Sequence, residues 1–164
     1  MIKKINILIL TMFGIGNSKY ASGTVASFIT SLIFIFFYIY QIKIIYLLVG
    51  VGLIFFFSVY SIDSYNKFFD EIDSKEIVID EFVGQSIPIL TIYSLVPKNN
   101  FNIFFFYVFL SFALFRLFDI TKPYPANYID KNMKNGFGVM FDDVIAGIYA
   151  SLVLLIIATL LNYE

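Results

Sequence analysis

The stretch FDDVIAGIYASLVLLIIATLL, residues 141–161, decides the fold class. From Val144 to Leu161 it carries no charge, and as a helix it is long enough to cross a bilayer. Directly before this run stand two adjacent acids, Asp142 and Asp143. One aspartate at a helix N-terminus is explained by capping and by the helix dipole. A cap needs one side chain, so the second acid asks for another reason.

The rest of the chain has the same character. It is 60% hydrophobic and only 14% charged, against roughly 25% charged in globular chains. That leaves too little polar surface to cover a water-soluble body. The composition predicts an all-α, helical integral membrane protein in a single domain over residues 1–164. Apolar length and charge position mark five segments: Val25–Tyr40, Ile44–Tyr60, Phe82–Val96, Phe101–Phe118 and Val144–Leu161. The third is short and carries Pro88, which predicts a kink. It either spans, packed by its neighbours, or is re-entrant, so the chain has four to five membrane segments. Short interfacial helices complete the picture. The N-terminal MIKKINILILTMF, residues 1–13, is too short to span and lacks an A-x-A-like cleavage site, so it reads as a retained interfacial segment. Of the two polar stretches, Ser61–Glu81 reads as partly helical and solvated, and Asp119–Asp143 as the lead into the last segment.

The distribution of cations predicts orientation. With five crossings, one side receives Lys3, Lys4, Lys19, Lys67, Lys75, Arg116, Lys122, Lys131 and Lys134, nine in all, and the other receives Lys43 and Lys98. The cation-rich side is expected to be cytoplasmic. The same partition puts every Asp and Glu except Glu164 on that side. A net charge of −1 and the lack of a basic tail give no reason to expect nucleic-acid binding.

The chain has no Cys and no His. Thiolate and imidazole chemistry are therefore excluded, and with them the lipid phosphatases that use two histidines or a cysteine. The remaining tools are carboxylates, Lys, Arg, hydroxyls and a hard metal ion. Three acidic clusters sit at membrane boundaries on the expected cytoplasmic face: Asp80 and Glu81; Asp119 with Arg116 and Lys122; and Asp142 with Asp143. Asp80 is followed by Gly84 and Asp143 by Gly147, each one helical turn on, so acid and glycine share a face. Glycines let two membrane helices approach closely, which predicts that these two helices pack there and bring their carboxylates together. Arg116 and Asp119 fall on one helix face, equally consistent with a structural salt bridge. Pro123 is expected to end that helix and to bias Lys122 toward an extended conformation. Carboxylates without His or Cys suit Mg²⁺ or Mn²⁺, and nearby Arg and Lys suit phosphate. The stretch FGIGNSKYASGTVAS, residues 13–27, adds Gly14, Gly16 and Gly23 with hydroxyls at Ser22, Thr24 and Ser27. It offers phosphate-binding groups at a helix start, or simply a flexible loop with Thr24 as the cap.

With these residues in view, the sequence resembles the phosphatidylglycerophosphatase A family. The blocks that carry the resemblance are GTVAS (23–27), IVIDEFVG (77–84), FRLFDITKPYP (115–125) and GFGVMFDDVIAG (136–147), in the family's order. The resemblance implies Mg²⁺-dependent hydrolysis of phosphatidylglycerophosphate to phosphatidylglycerol and phosphate, in glycerophospholipid synthesis at the bacterial inner membrane. It places the family's acids on Asp80, Glu81, Asp119, Asp142 and Asp143, with Arg116 and Lys122 in the same blocks. The expected assignment is Asp80, Asp142 and Asp143 on the metal, Glu81 and Asp119 in support, and Arg116, Lys122 and Thr24 on the substrate phosphate. Attack by a metal-activated water and attack by one Asp both remain open. Two departures stand out: Ser22 replaces a proline common before the family's Gly-Thr, and Lys134-Asn135-Gly136 replaces a His-Gly-Gly-like stretch. Among rivals, a CDP-alcohol phosphatidyltransferase would need a D-G-x-x-A-R core that this chain lacks. A non-catalytic membrane protein that binds or passes divalent cations is the alternative of another class.

Overall fold

The computed structural model describes residues 2–65, 74–97 and 100–161. Lys67, Asp70, Glu71, Asp73, Lys98 and Glu164, together with the Lys3 side chain, lie outside the described residues. The described residues are mainly helical, with no strand among them. Seven helices follow in order: α1 (Ile2–Leu10), α2 (Ser22–Ile39), α3 (Ile44–Tyr65), α4 (Ile79–Leu95), α5 (Phe101–Thr121), α6 (Ala126–Asn132) and α7 (Gly136–Leu161).

Four of these are long and apolar enough to cross a membrane: α2, α3 as Ile44–Ser64, α5 and α7. Their outer faces carry large exposed apolar side chains such as Phe36, Phe56, Phe109 and Ile156. In water these would be a liability, but against lipid they are ordinary. α4 is different. It packs against α2, α3, α5 and α7 at once, and Gln85, Ser86, Ile89 and Ile92 are fully buried. Its 17 residues span about 26 Å, a little short of the roughly 30 Å hydrocarbon core. The surrounding helices supply the lipid-facing surface that it does not need to have.

α4 runs the length of the bundle, with its two ends at opposite ends. Near its C-terminus the Tyr93 hydroxyl donates to the Ile42 carbonyl (2.6 Å), in the α2–α3 connection. The Tyr38 hydroxyl donates to Pro97 O (2.6 Å), and its ring stacks on Phe104 of α5 at 3.8 Å. At the other end, the α4 start is tied to α1 by the Val78 N–H to the Leu10 carbonyl (3.1 Å). Pro88 lies inside the helix, so Gly84 O lacks its usual amide partner.

The glycines behave as their spacing predicts. A Cβ on Gly84 would sit 2.6 Å from the Phe115 ring and 2.7 Å from the Asp143 carbonyl oxygen. A Cβ on Gly147 would overlap the Gly84 carbonyl oxygen itself. The backbones of α4 and α7 therefore touch through these two residues.

Two local expectations fail. α7 begins at Gly136, eight residues before Val144, because its first turn is capped from outside the apolar run. The Gly136 N–H donates to Asp63 Oδ1 of α3 (2.5 Å), and the Gly138 N–H donates to Asn135 Oδ1 (2.8 Å). Asp142 and Asp143 thus lie inside the helix, past its first turn. Lys122, expected to be extended, takes up left-handed geometry (φ 40°, ψ 63°) as the C-cap of α5. Its N–H bonds Phe118 O at 2.8 Å, which turns the chain toward α6.

Candidate active site

The first turns of α2 and α4, the last turn of α5 and the second turn of α7 meet at one end of the bundle. Asp80 is in the first turn of α4, but no side-chain bond caps that helix. Its Oδ1 accepts from the neighbouring Glu81 N–H (3.1 Å). One carboxylate oxygen each from Asp80, Glu81 and Asp143 lie within 4.8 Å of one another. Asp80 and Asp143 are buried, at 9% and 4% exposure, and Glu81 is partly buried. Three carboxylates this close and this dry repel one another and call for a compensating cation. Glu81 Oε2 and Asp143 Oδ2 make no hydrogen bond among the described residues. Unspent, buried carboxylate oxygens in a set without nitrogen or sulfur donors fit a hard cation such as Mg²⁺.

Asp142 has a different environment. A residue next to Asp143 on a helix is rotated by about 100°, and its Oδ2 meets Lys122 Nζ at 2.5 Å. Lys122 also holds Asp130 Oδ1 of α6 at 2.7 Å. Burial works to lower the Lys122 pKa, but the hydrogen bonds and charges of Asp130 and Asp142 outweigh it and push it above the ordinary lysine value. The geometry therefore differs from the expected trio of Asp80, Asp142 and Asp143: Glu81 stands in the place given to Asp142. Lys122, expected on a phosphate, is engaged with two acids.

Arg116 and Asp119 form the i,i+3 pair, Nη1 to Oδ2 at 2.5 Å, with side chains 17% and 12% exposed. Arg116 Nε makes no hydrogen bond. A Cβ added to Gly23 would fall on Glu81 Oε1 and lie 3.2 Å from Arg116 Nη1. Gly23 thus lets the first turn of α2 close directly over this acid–guanidinium pair.

The other hydroxylic residues are partly spent. Ser22 Oγ donates to Lys75 O (3.0 Å) and Ser27 Oγ to Gly23 O (2.9 Å). Thr24 is half-buried in the first turn of α2. It is not the cap, which is Ala21, and Ala21 offers no side-chain bond. The first amides of α2 therefore lack an intrahelical or capping acceptor.

Sequence reasoning overlooked two residues. Asp130 shares Lys122 with Asp142, and Asp63 starts α7 from 73 residues away. No local pattern announces either one, because each acts through a tertiary contact.

Comparison with known proteins adds to this geometry. A family model described as Phosphatidylglycerophosphatase A matches residues 8–158. A protein of Bacteroides thetaiotaomicron named putative phosphatidylinositol-3-phosphatase is 39% identical over 88% of this chain and 87% of its own length. Phosphatidylglycerophosphatase A of Haemophilus influenzae is 43% identical over 49% of this chain and 45% of its own length. The Escherichia coli protein of the same name is 34% identical over 48% of this chain and 41% of its own. No solved structure matches.

Proposed function

The chain belongs to the phosphatidylglycerophosphatase A family, and on that premise we propose that the acid-rich bundle end hydrolyses phosphatidylglycerophosphate, with Mg²⁺ held by Asp80, Glu81 and Asp143. As a member of that family the chain is an enzyme, a lipid phosphatase. The observation that carries the site assignment is the convergence of three carboxylates within 4.8 Å, with Asp80 and Asp143 buried and one oxygen each of Glu81 and Asp143 left without a hydrogen bond among the described residues. Family membership and these acids at the bundle end argue against a non-catalytic cation carrier.

Bound there, Mg²⁺ would supply charge neutralisation for the phosphate oxygens and a more acidic water. Everything else falls to the chain. Arg116, steadied by Asp119, has an unspent Nε and is placed to hold a phosphate oxygen. The uncapped amides at the start of α2, which Gly23 brings beside Glu81 and Arg116, serve the same phosphate, with the Thr24 hydroxyl in the same turn. Lys122 does not bind phosphate in this reading. It holds Asp142 and joins α6 to α7, so that the helix carrying Asp143 cannot rotate. Hydrolysis breaks the bond between phosphorus and the glycerol oxygen, water providing the new phosphate oxygen and the proton for the alcohol. The lipid tails stay in the bilayer, and the site faces the cytoplasm at the inner membrane.

The test is phosphate release by the purified full chain, with Mg²⁺ and with a chelator. Three substrates are compared: phosphatidylglycerophosphate, phosphatidylinositol 3-phosphate and phosphatidic acid. The phosphoinositide belongs in the set because the 39% identical relative carries that name. Preference for phosphatidylglycerophosphate and loss with chelator support the reading. Preference for either other lipid, or activity indifferent to chelation, overturns it.

A further inference from the structure

α2 and α3 follow one another in the chain, yet they pack on α4 rather than on each other. Between them runs an apolar groove floored by Phe82. Its upper part, about 460 Å³, is bounded by Met12, Ile15, Ile29 and Ile79. Its lower part, about 270 Å³, reaches Phe37 and Tyr46 near the far end. Ile33, Ile54 and Phe82 line both parts, so the two are one groove. From Ile29 to Phe37 it follows α2 for about 12 Å, most of the depth of one leaflet of a roughly 30 Å core.

The groove begins at the first turn of α4, the turn that also carries Asp80 and Glu81. Ile79 precedes Asp80, Phe82 follows Glu81, and both line its wall. The opposite side of α2 offers a poorer candidate. The crevice between α2 and α5 is about 190 Å³, and the edge-to-face pair Phe28–Phe112 stands between it and Arg116. Gly50 lines the lower part of the α2–α3 groove, and a Cβ there would meet nothing within 4 Å.

We propose that the α2–α3 groove seats one acyl chain of the lipid substrate and so selects for chain length at the phosphatase site. This rests on the reading of the protein as a lipid phosphatase. Seating a chain there fixes the depth and direction of the head group relative to Asp80 and Glu81. A tail that fills the groove makes packing contacts along its whole length that a shorter tail cannot make. Gly50 keeps the lower half open.

The experiment measures phosphate release from dioleoyl and dihexanoyl phosphatidylglycerophosphate by the purified full chain in detergent micelles. Wild type is compared with Gly50→Phe, the smaller Gly50→Leu, and Leu53→Phe on the exposed face of α3. Wild type is expected to show a KM for the dioleoyl lipid at least several-fold below that for the dihexanoyl lipid. Gly50→Phe should raise the dioleoyl KM several-fold, Gly50→Leu less so, with kcat and the dihexanoyl reaction unchanged. Leu53→Phe should change neither. Equal effects on both chain lengths, or none, overturn the groove as a tail seat. They also leave a structural lipid or a neighbouring helix as its occupant. If wild type releases no phosphate from either lipid, the enzymatic reading itself fails, a result distinct from loss of chain-length discrimination.

Discussion

At the scale of single residues, two adjacent acids on one helix have separate jobs. Asp143 turns toward Asp80 and Glu81, while Asp142 turns toward Lys122. Replacing Asp143 or Asp80 by Asn keeps the volume and removes one charge from the trio. Phosphate release is expected to fall by about 10²–10³-fold, the scale for losing one electrostatic partner of the reacting group, with circular dichroism unchanged. Near wild-type turnover in both variants would remove these residues from the site. Lys122→Met should act mainly on stability, because it removes the ammonium that joins Asp130 of α6 to Asp142 of α7. About 1.5–3 kcal/mol is expected, as for a hydrogen bond to a charged group, read from the thermal midpoint. The pH dependence follows from the sign of the shift. Lys122 is raised above its ordinary value, so its contribution is complete below the unfolded lysine pKa of about 10.4. It is lost only as pH climbs through the higher folded value. A midpoint that dropped between pH 7 and pH 9 in wild type but not in Lys122→Met would contradict this. The sequence placed all these residues on one face of the membrane. It could not say which of Asp142 and Asp143 points where, because one residue is about 100° of helix rotation. The packing of Gly147 on Gly84 sets that rotation.

Between elements, the spacing of α4 and α7 sets the distance between Asp80 and Asp143. Gly147→Ala would push its new methyl into the Gly84 carbonyl oxygen. The helices must part, at a cost of about 1–3 kcal/mol as for other overpacked sites. Activity should fall with stability, since the carboxylate trio opens at the same time. Gly52→Ala is the matched control: its Cβ would meet nothing within 4 Å, so its thermal midpoint and activity should stay close to wild type. If both alanines behaved alike, the close approach would not matter. The acid-to-glycine spacing of one turn made this contact legible in the sequence, and the apolar runs made α2, α3 and α5 legible. The start of α7 was hidden. Gly136 and Gly138 disfavour a helix locally, and the caps that overcome this come from Asn135 and from Asp63 on another helix. The left-handed turn at Lys122 was hidden for a related reason. It costs about 1 kcal/mol in isolation and is offset by the ion pairs it allows with Asp130 and Asp142.

For the whole molecule, charge predicts the side of the membrane that the site faces. The described residues Lys19, Lys75, Lys131 and Lys134 are at the site end, whereas Lys43 lies at the other end, in the α2–α3 connection that Tyr93 holds. A chain inserted under the positive-inside bias is expected to have its richer end in the cytoplasm, the orientation that the proposed reaction requires. The chain has no cysteine, so single cysteines report position without background. Lys19→Cys and Lys134→Cys should react with a membrane-impermeant maleimide only after the cells are opened. Gln41→Cys, in the exposed turn at the other end, should react without the cytoplasm being opened. The reverse pattern would place the acids outside and detach the proposed reaction from any lipid phosphate made on the cytoplasmic face. Labelling of all three in intact cells would instead break the single-face arrangement of cations on which the orientation rests.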